Sequence, residues 1–188
     1  MQNLIPKIYS YINSFNLSDL SKLGNNINLI YRNYDKTDDI ETIKKLKTYC
    51  RNSKRKLFIS NNIKLALNLK LDGVYIPSFN KQVNYGSIYN KPINFKIIGS
   101  AHNLHEVRIK NNQGCAEVFL SPIFKNNKSK KYLGILKFNL IKLNVKTDLI
   151  ALGGIDQYNF KKLKSINQIG FASISWAKKN GLRNLRPF

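Results

Sequence analysis

The sequence alternates short, β-rich apolar runs with segments whose apolar residues recur at helical spacing. About eight such runs occur, over residues 7–12, 27–32, 57–60, 73–77, 96–101, 117–124, 148–154 and 170–175. Helical spacing is seen at Ile40, Ile43, Leu46 and Tyr49, and again at Phe160, Leu163 and Ile166. Thr37 is the expected N-cap of the first of these helices. Strands that are separated by helices pair in parallel, so the pattern predicts an α/β fold.

Eight strand–helix units are enough to close a barrel, and we predict a (β/α)8 TIM barrel as a single domain over residues 1–188. The chain is short for this fold, whose usual length is ~250 residues. We therefore expect trimmed loops, and a loop with a reduced helix over residues 78–91. Alternation alone does not decide closure, so a doubly wound open sheet is the alternative.

The charge is strongly positive: 32 Lys+Arg against 10 Asp+Glu give +22. Such a charge suggests an anionic partner, which is a nucleic acid, an anionic membrane surface or a phosphorylated metabolite. Lysines and asparagines are spread over the chain, which favours solvated positions over a nucleic-acid patch. No secretory signal or apolar window of ~18 residues is present, so we expect a soluble cytoplasmic protein. Cys50 and Cys115 lack a CxxC neighbourhood and are predicted core residues.

Parallel barrels carry their chemistry at the carboxyl ends of the strands, and polar residues follow several of the predicted strands. These candidates are Arg32, Ser60, Asn61, Asn80, Ser100, His102 and Ser121. In "LIALGGIDQYN", Gly153 and Gly154 end the seventh run, and Ile174 and Ser175 end the eighth. Amide groups after these two strands often bind phosphate, so the four residues form a candidate phosphate cradle. The alternative is a tight turn that requires glycine.

The motifs "DGVYIP", "GSAHN", "FLSPIF" and "ALGGI", with "YRN" at the second strand, occur in this order. Together they resemble the thiamine phosphate synthase family and its relative, the thiazole tautomerase, from about Ile30 to Ser175. The family's synthase joins hydroxymethylpyrimidine diphosphate to thiazole phosphate and releases pyrophosphate. The resemblance implies a transferase whose ligands are phosphorylated small molecules.

The resemblance also assigns roles to residues. Arg32 would grip the diphosphate with its planar fork, and Lys130 of "NKSKK" would be a second cation, with Lys128 or Lys131 as alternatives. Ser100 would contact the pyrimidine diphosphate, and the glycine cradle would hold the thiazole phosphate. The remaining substrate-binding positions would be Ser60, Asn61, Asn80 and Ser121.

The chain departs from the family at its metal ligands. The family's synthases have an Asn-Asp pair after the third strand and an Asp after the fourth, and here these positions are Ser60-Asn61 and Asn80. Neutral amides bind Mg²⁺ far less well than carboxylates, so either Mg²⁺ is carried mainly by the substrate diphosphate, with surplus lysines compensating, or the pyrimidine half-reaction has been lost. Asp35 and Asp38 are alternative ligands or ordinary solvated residues. The family's Arg-x-Lys is reduced to Arg32 and Tyr34.

His102 leaves a second activity open. In the tautomerase relatives the matching His moves a proton on the thiazole ring, which suits an imidazole with a pKa near ~6.5. The alternative role is to order the loop through a backbone hydrogen bond. His105 is expected on the surface. A barrel that binds a phosphate ligand or nucleic acid without turnover is the third hypothesis; we expect no membrane partner and no nucleic acid, and a homodimer stays open.

Overall fold

A closed barrel of eight parallel strands, with short helices between them, forms the protein. The computed structural model describes residues 7–24, 26–35, 39–83, 92–127, 129, 131–166 and 170–173. The strands are β1 Lys7–Ile12, β2 Ile27–Tyr31, β3 Leu57–Ser60, β4 Gly73–Ile76, β5 Lys96–Ala101, β6 Glu117–Leu120, β7 Asp148–Leu152 and β8 Gly170–Ser173. The α-helices are α1 Leu17–Lys22, α2 Ile40–Asn52, α3 Ile63–Asn68, α4 Leu104–Asn112 and α5 Gly134–Leu143. None of the helices in these ranges is long and apolar enough to cross a membrane.

The last strand pairs with the first and closes the barrel. β8 runs parallel to β1 with Lys7 opposite Gly170 and Ser10 opposite Ser173. A side chain at Gly170 would overlap the backbone of Lys7, so the glycine permits this pairing. The predicted (β/α)8 barrel is thus confirmed, and the open doubly wound sheet is wrong.

Four strands end earlier than the sequence pattern predicts, β2 and β4 by one residue and β6 and β7 by more. β6 ends at Leu120 instead of residue 124, because Pro122 has no N–H to continue the ladder. The chain turns instead toward β7, where the Ile123 N–H donates to the Leu152 carbonyl at 2.9 Å. β7 ends at Leu152 because Gly153 takes a φ of +90°, outside the strand region.

Two helical predictions need correction. Helix α2 begins at Ile40, and its N-cap is Asp39, whose side chain accepts from the Thr42 N–H at 3.0 Å. Thr37 as the cap is therefore wrong, and Thr37 itself lies outside the described residues. The segment with Phe160 and Leu163 forms a 3-10 helix, Phe160–Ser165, instead of an α-helix. Residues 84–91 of the predicted 78–91 loop also lie outside the described residues.

The barrel interior is filled largely by aromatic and branched side chains. Strand residues alternate between the interior and the helix-covered outside. The interior cluster consists of Tyr9, Tyr11, Ile30, Phe58, Tyr75, Ile98, Phe119, Ile150, Leu152 and Ala172. Cys50 and Cys115 are buried among the outer cluster, as expected.

A charged group seals the amino-terminal end of the barrel. Glu117, at the start of β6, is 1% exposed and accepts from Lys7 at 2.7 Å and Lys96 at 3.3 Å. The Tyr9 hydroxyl also donates to it. Burial alone would raise the pKa of Glu117, but the hydrogen bonds from Lys7 and Tyr9 and the two ammonium charges hold it below its usual value. This end of the barrel is thus closed by a satisfied polar network.

Candidate active site

The predicted site residues that the structure describes lie at or just beyond the carboxyl ends of the strands. Arg32 follows β2, Ser60 ends β3, and Ser100 lies within β5. His102 and Ser121 follow β5 and β6. Parallel pairing around a closed barrel places all of these ends on one face, which is where parallel barrels bind their ligands.

Arg32 is held between two aromatic rings. Its guanidinium carbon lies 4.6 Å from the Tyr11 ring centroid and 5.7 Å from that of Tyr34. The Tyr34 ring in turn packs against Phe79, with centroids 6.0 Å apart. Cation–π contact fixes the guanidinium without neutralising it. Arg32 makes no salt bridge with any residue in the described ranges, so its charge is available to an anion.

Asn61 and Asn80 are brought together from two different strand ends. The Asn80 side-chain NH₂ donates to the Asn61 side-chain oxygen at 2.6 Å. Asn61 has a φ of +62°, and its N–H donates to the Tyr75 carbonyl at 2.8 Å. The amide oxygen that a metal ion would need is therefore already engaged.

A protein-held metal site does not fit these residues. Asn61 and Asn80 supply no negative charge, and within the described ranges no three His, Cys, Asp or Glu side chains gather in a way that would hold a metal ion. Asp35 is exposed, and its N–H is bonded to the Asn33 side chain; Asp38 lies outside the described residues.

A buried lysine, which the sequence analysis missed, holds the loop that carries Asn80. Lys110 of α4 is 0% exposed, and its ammonium donates to the carbonyls of Pro77 and Asn80, both at 2.7 Å, and to the Gln113 side-chain oxygen at 2.9 Å. The Gln113 side chain donates in turn to the carbonyls of Asn80 at 3.0 Å and Gln82 at 2.7 Å. Burial lowers the pKa of Lys110. Lys110 and Gln113, hereafter the loop clamp, position the segment after β4.

His102 is oriented through both of its ring nitrogens, and the Ser121 hydroxyl oxygen lies 3.3 Å from its Nδ1. Its Nδ1 lies 2.9 Å from the Ser121 carbonyl oxygen, which only accepts, so Nδ1 carries a proton. Its Nε2 lies 3.2 Å from the Ser78 hydroxyl, which donates to it in the neutral imidazole. These bonds join the loops after β4, β5 and β6, and so support the loop-ordering role. His105 is exposed on α4, as expected.

Hydroxyl groups line the upper interior of the barrel. Ser100 is 5% exposed and interacts with the hydroxyl of Tyr75, whose pKa is raised by burial and lowered to a smaller extent by that contact. Ser60 faces the interior at the end of β3, and its hydroxyl oxygen is buried without a hydrogen-bond partner. The predicted Ser60 and Ser100 thus lie where a ligand would enter the barrel.

Gly153 and Gly154 are required by the packing of the loop after β6. Their φ values are +90° and +73°, and a Cβ at Gly153 would lie 3.0 Å from Pro122 Cβ. A Cβ at Gly154 would overlap the Phe124 carbonyl oxygen. Within the described ranges neither glycine N–H has an acceptor, while the Gly154 carbonyl accepts from Asn159 at 2.6 Å. The glycines thus form a tight turn whose two amide groups have no acceptor in the described ranges.

Several predicted residues cannot be located. Ile174 and Ser175 of the predicted cradle lie outside the described residues, as do Lys128 and Lys130. Lys131 is described and exposed. Ser129, which lies between Lys128 and Lys130 in the sequence, donates its N–H to the Asn126 side-chain oxygen at 2.8 Å.

The fold and the residues at the carboxyl ends of its strands define a (β/α)8 barrel. Its ligand-binding face combines the Arg32 guanidinium, which is held by aromatic rings, with neutral hydroxyl and amide groups. The thiamine monophosphate synthase family model matches residues 23–177. The chain therefore belongs to the thiamine monophosphate synthase family.

Individual relatives agree with this membership. The chain is 30% identical over 131 residues to a thiamine-phosphate synthase of Prochlorococcus marinus, across 68% of this chain and 37% of that protein. It is 31% identical over 155 residues to a thiamine-phosphate synthase of Helicobacter pylori, across 77% and 69%. The chain thus spans little more than a third of the Prochlorococcus protein.

A solved structure shares the fold. Thiamine phosphate pyrophosphorylase from Pyrococcus furiosus superimposes with a TM-score of 0.77 at 19% identity, over 96% of this chain and 93% of that one. At this level of identity the likeness concerns the fold alone.

Proposed function

We propose that the protein is a thiamine phosphate synthase: a transferase that joins hydroxymethylpyrimidine diphosphate to thiazole phosphate. The bond between the pyrimidine methylene carbon and the diphosphate oxygen breaks, and pyrophosphate leaves with the electron pair. A new bond forms between that carbon and the thiazole nitrogen. Family membership and the similarity to synthases of two organisms support this reaction.

The observation that carries the proposal is the environment of Arg32. Breaking the carbon–oxygen bond builds negative charge on the diphosphate, and a fixed cation lowers that barrier without any protein nucleophile. Arg32 supplies a guanidinium that is fixed by Tyr11 and Tyr34 and has no salt bridge in the described ranges. Its planar fork suits two phosphate oxygens. Lys130 remains the proposed second cation.

The thiazole phosphate is proposed to bind at Gly153 and Gly154, whose amide groups have no acceptor in the described ranges. Ser100, Ser121, Ser60, Asn61 and Asn80 are proposed to line the remaining contacts. Any Mg²⁺ that the reaction uses enters with the diphosphate, because the amide pair lacks the charge and the open oxygen of a metal site. Phosphorylated small molecules, and not nucleic acid, are the proposed ligands despite the charge of +22.

The test is to mix both substrates with Mg²⁺ and to measure pyrophosphate and thiamine phosphate together. We expect equal amounts of the two products from the wild-type protein. A second sample carries Asn61→Asp and Asn80→Asp, and a control carries Asn52→Asp and Asn68→Asp, which place the same charges at exposed helix positions.

The outcomes separate the hypotheses. If the wild-type protein is inactive and the Asn61→Asp/Asn80→Asp variant is active, synthase activity was an ancestral function of this chain. Proton exchange on the thiazole without pyrophosphate, abolished by His102→Ala, would identify a tautomerase. No turnover in any sample, with binding that weakens steeply with salt, would identify a binding barrel.

A further inference from the structure

Two buried hydroxyls at the ligand-binding end, those of Tyr11 and Ser60, have no hydrogen-bond partner within the described protein. Tyr11, on β1, is 3% exposed, and its hydroxyl oxygen is buried without a hydrogen bond. Buried polar groups are nearly always hydrogen-bonded, because an unmet hydroxyl loses its water without compensation. An exception on the ligand-binding side of a barrel requires an explanation.

The position of Tyr11 is set by its neighbours. Its ring belongs to the interior cluster and meets the Tyr75 ring edge-on, with centroids 5.4 Å apart. The Arg32 guanidinium lies 4.6 Å above it. The Tyr75 hydroxyl adds to the raising of the Tyr11 pKa by burial, through its charge and as a hydrogen-bonding neighbour, yet the two hydroxyls do not reach the distance and angles of a full hydrogen bond. The Tyr11 O–H therefore stays protonated and directed at the interior beneath Arg32.

We propose that the Tyr11 hydroxyl recognises the heteroaromatic ring of the pyrimidine substrate and determines specificity for it. This inference rests on the proposed function, since it requires the diphosphate to bind at Arg32. In that substrate a single methylene joins the diphosphate to the ring, so a diphosphate at Arg32 leaves the ring close to Tyr11.

The chemistry of the two groups matches. An aminopyrimidine edge offers ring nitrogens that accept and an amino group that donates. A neutral phenol donates one hydrogen bond and accepts another. The buried hydroxyl of Ser60, also on the interior side and without a hydrogen bond, makes this part of the barrel polar where an apolar core would need no such group. If a bound water molecule, and not the substrate, is the hydrogen-bond partner of Tyr11, removal of the hydroxyl should leave substrate affinity unchanged.

The chain provides a matched control on the neighbouring strand. Tyr31 of β2 is 2% exposed, but it belongs to the outer cluster and faces away from the interior. Tyr11→Phe and Tyr31→Phe therefore remove the same atom from opposite faces of the barrel wall.

The experiment measures Kd and KM for hydroxymethylpyrimidine diphosphate, and KM for thiazole phosphate, in wild type and both variants. We expect Tyr11→Phe to weaken the pyrimidine substrate about tenfold, as the loss of one buried hydrogen bond predicts, with thiazole phosphate unaffected. Tyr31→Phe should leave both unchanged. With an analogue whose ring nitrogens are replaced by CH and whose amino group is replaced by methyl, wild type and Tyr11→Phe should bind about equally, because the partner atoms are gone.

Each outcome either supports or overturns the role proposed for Tyr11. Equal Kd values for wild type and Tyr11→Phe with the natural ring overturn the assignment, and so does a lower melting midpoint of Tyr11→Phe, which would reveal a bond within the protein. If the wild type binds the pyrimidine diphosphate without releasing pyrophosphate, the synthase proposal fails while the Kd ratio still decides the role of Tyr11. If the wild type binds no pyrimidine diphosphate, both fail.

Discussion

Replacement of Lys110 by methionine should loosen the loop that follows β4. Methionine fills a similar volume but removes the ammonium that donates to Pro77, Asn80 and Gln113. The carbonyl groups of Pro77 and Asn80 each keep another donor. The Asn80 N–H donates to the Pro77 carbonyl, and the Gln113 side-chain NH₂ donates to the Asn80 carbonyl. The Gln113 side-chain oxygen, which accepts from Lys110, loses that donor.

The magnitude follows from these contacts. Hydrogen bonds to a charged group contribute about 1.5–3 kcal/mol each, so three of them contribute roughly 4–9 kcal/mol. The buried ammonium costs several kcal/mol in desolvation, which methionine avoids. The net loss in the free energy of unfolding should be about 2–4 kcal/mol, and it should be concentrated in residues 77–82.

Urea denaturation measures the global loss, and amide hydrogen exchange measures the local one. The Asn80 amide, bonded to the Pro77 carbonyl at 3.1 Å, is the reporter of the loop. Arg108→Met is the matched control because it removes one positive charge from an exposed position of the same helix. A Lys110→Met protein that is as stable as the control, with unchanged exchange at Asn80, would refute the loop clamp.

Two further predictions concern stability. Gly134→Ala should lower the free energy of unfolding by about 1–2 kcal/mol because of its φ of +72° alone, since no atom lies within 4 Å of the added Cβ. Gly154→Ala should lower it by at least about 2 kcal/mol more, because its Cβ would overlap the Phe124 carbonyl. Equal urea midpoints for the two variants would contradict the packing. Glu117→Gln should lower stability at neutral pH by about 2 kcal/mol, after allowance for solvent at the two half-exposed lysines. Because the folded pKa of Glu117 lies below its usual 4.5, this contribution is present above that value and is lost as pH falls through the folded pKa, so the gap between the two proteins should close in acid. A gap that does not narrow as the pH falls below 4.5 would contradict the ion pairs.

Much of the fold could be predicted from local patterns. The runs at 57–60 and 96–101 match β3 and β5, because a buried parallel strand needs a short continuous apolar stretch. Closure was predicted from the number of strand–helix units, but alternation alone did not decide it, since closure depends on the pairing of Lys7 with Gly170, far apart in the chain. The N-cap of α2 was misplaced because several polar residues precede the helix and only the backbone path selects Asp39.

The residues of the candidate site could likewise be predicted only in part. Strand-end positions such as Arg32 and Asn61 could be found because topology carries them to one face. Lys110 looked like one of many solvated lysines, although its place three residues after buried Val107 was a signal that it lies on the inner face of α4. Tyr11 could not be found, since a lone sequence does not reveal whether a buried hydroxyl has a partner.

The central claim is that Arg32 stabilises the departing diphosphate, and pyrophosphate release by Arg32→Ala tests it most directly. With both substrates present, the variant should lose turnover while its affinity for thiazole phosphate stays that of the wild type. Undiminished pyrophosphate release, or an equal loss of turnover and of thiazole phosphate affinity, would contradict the role assigned to this residue.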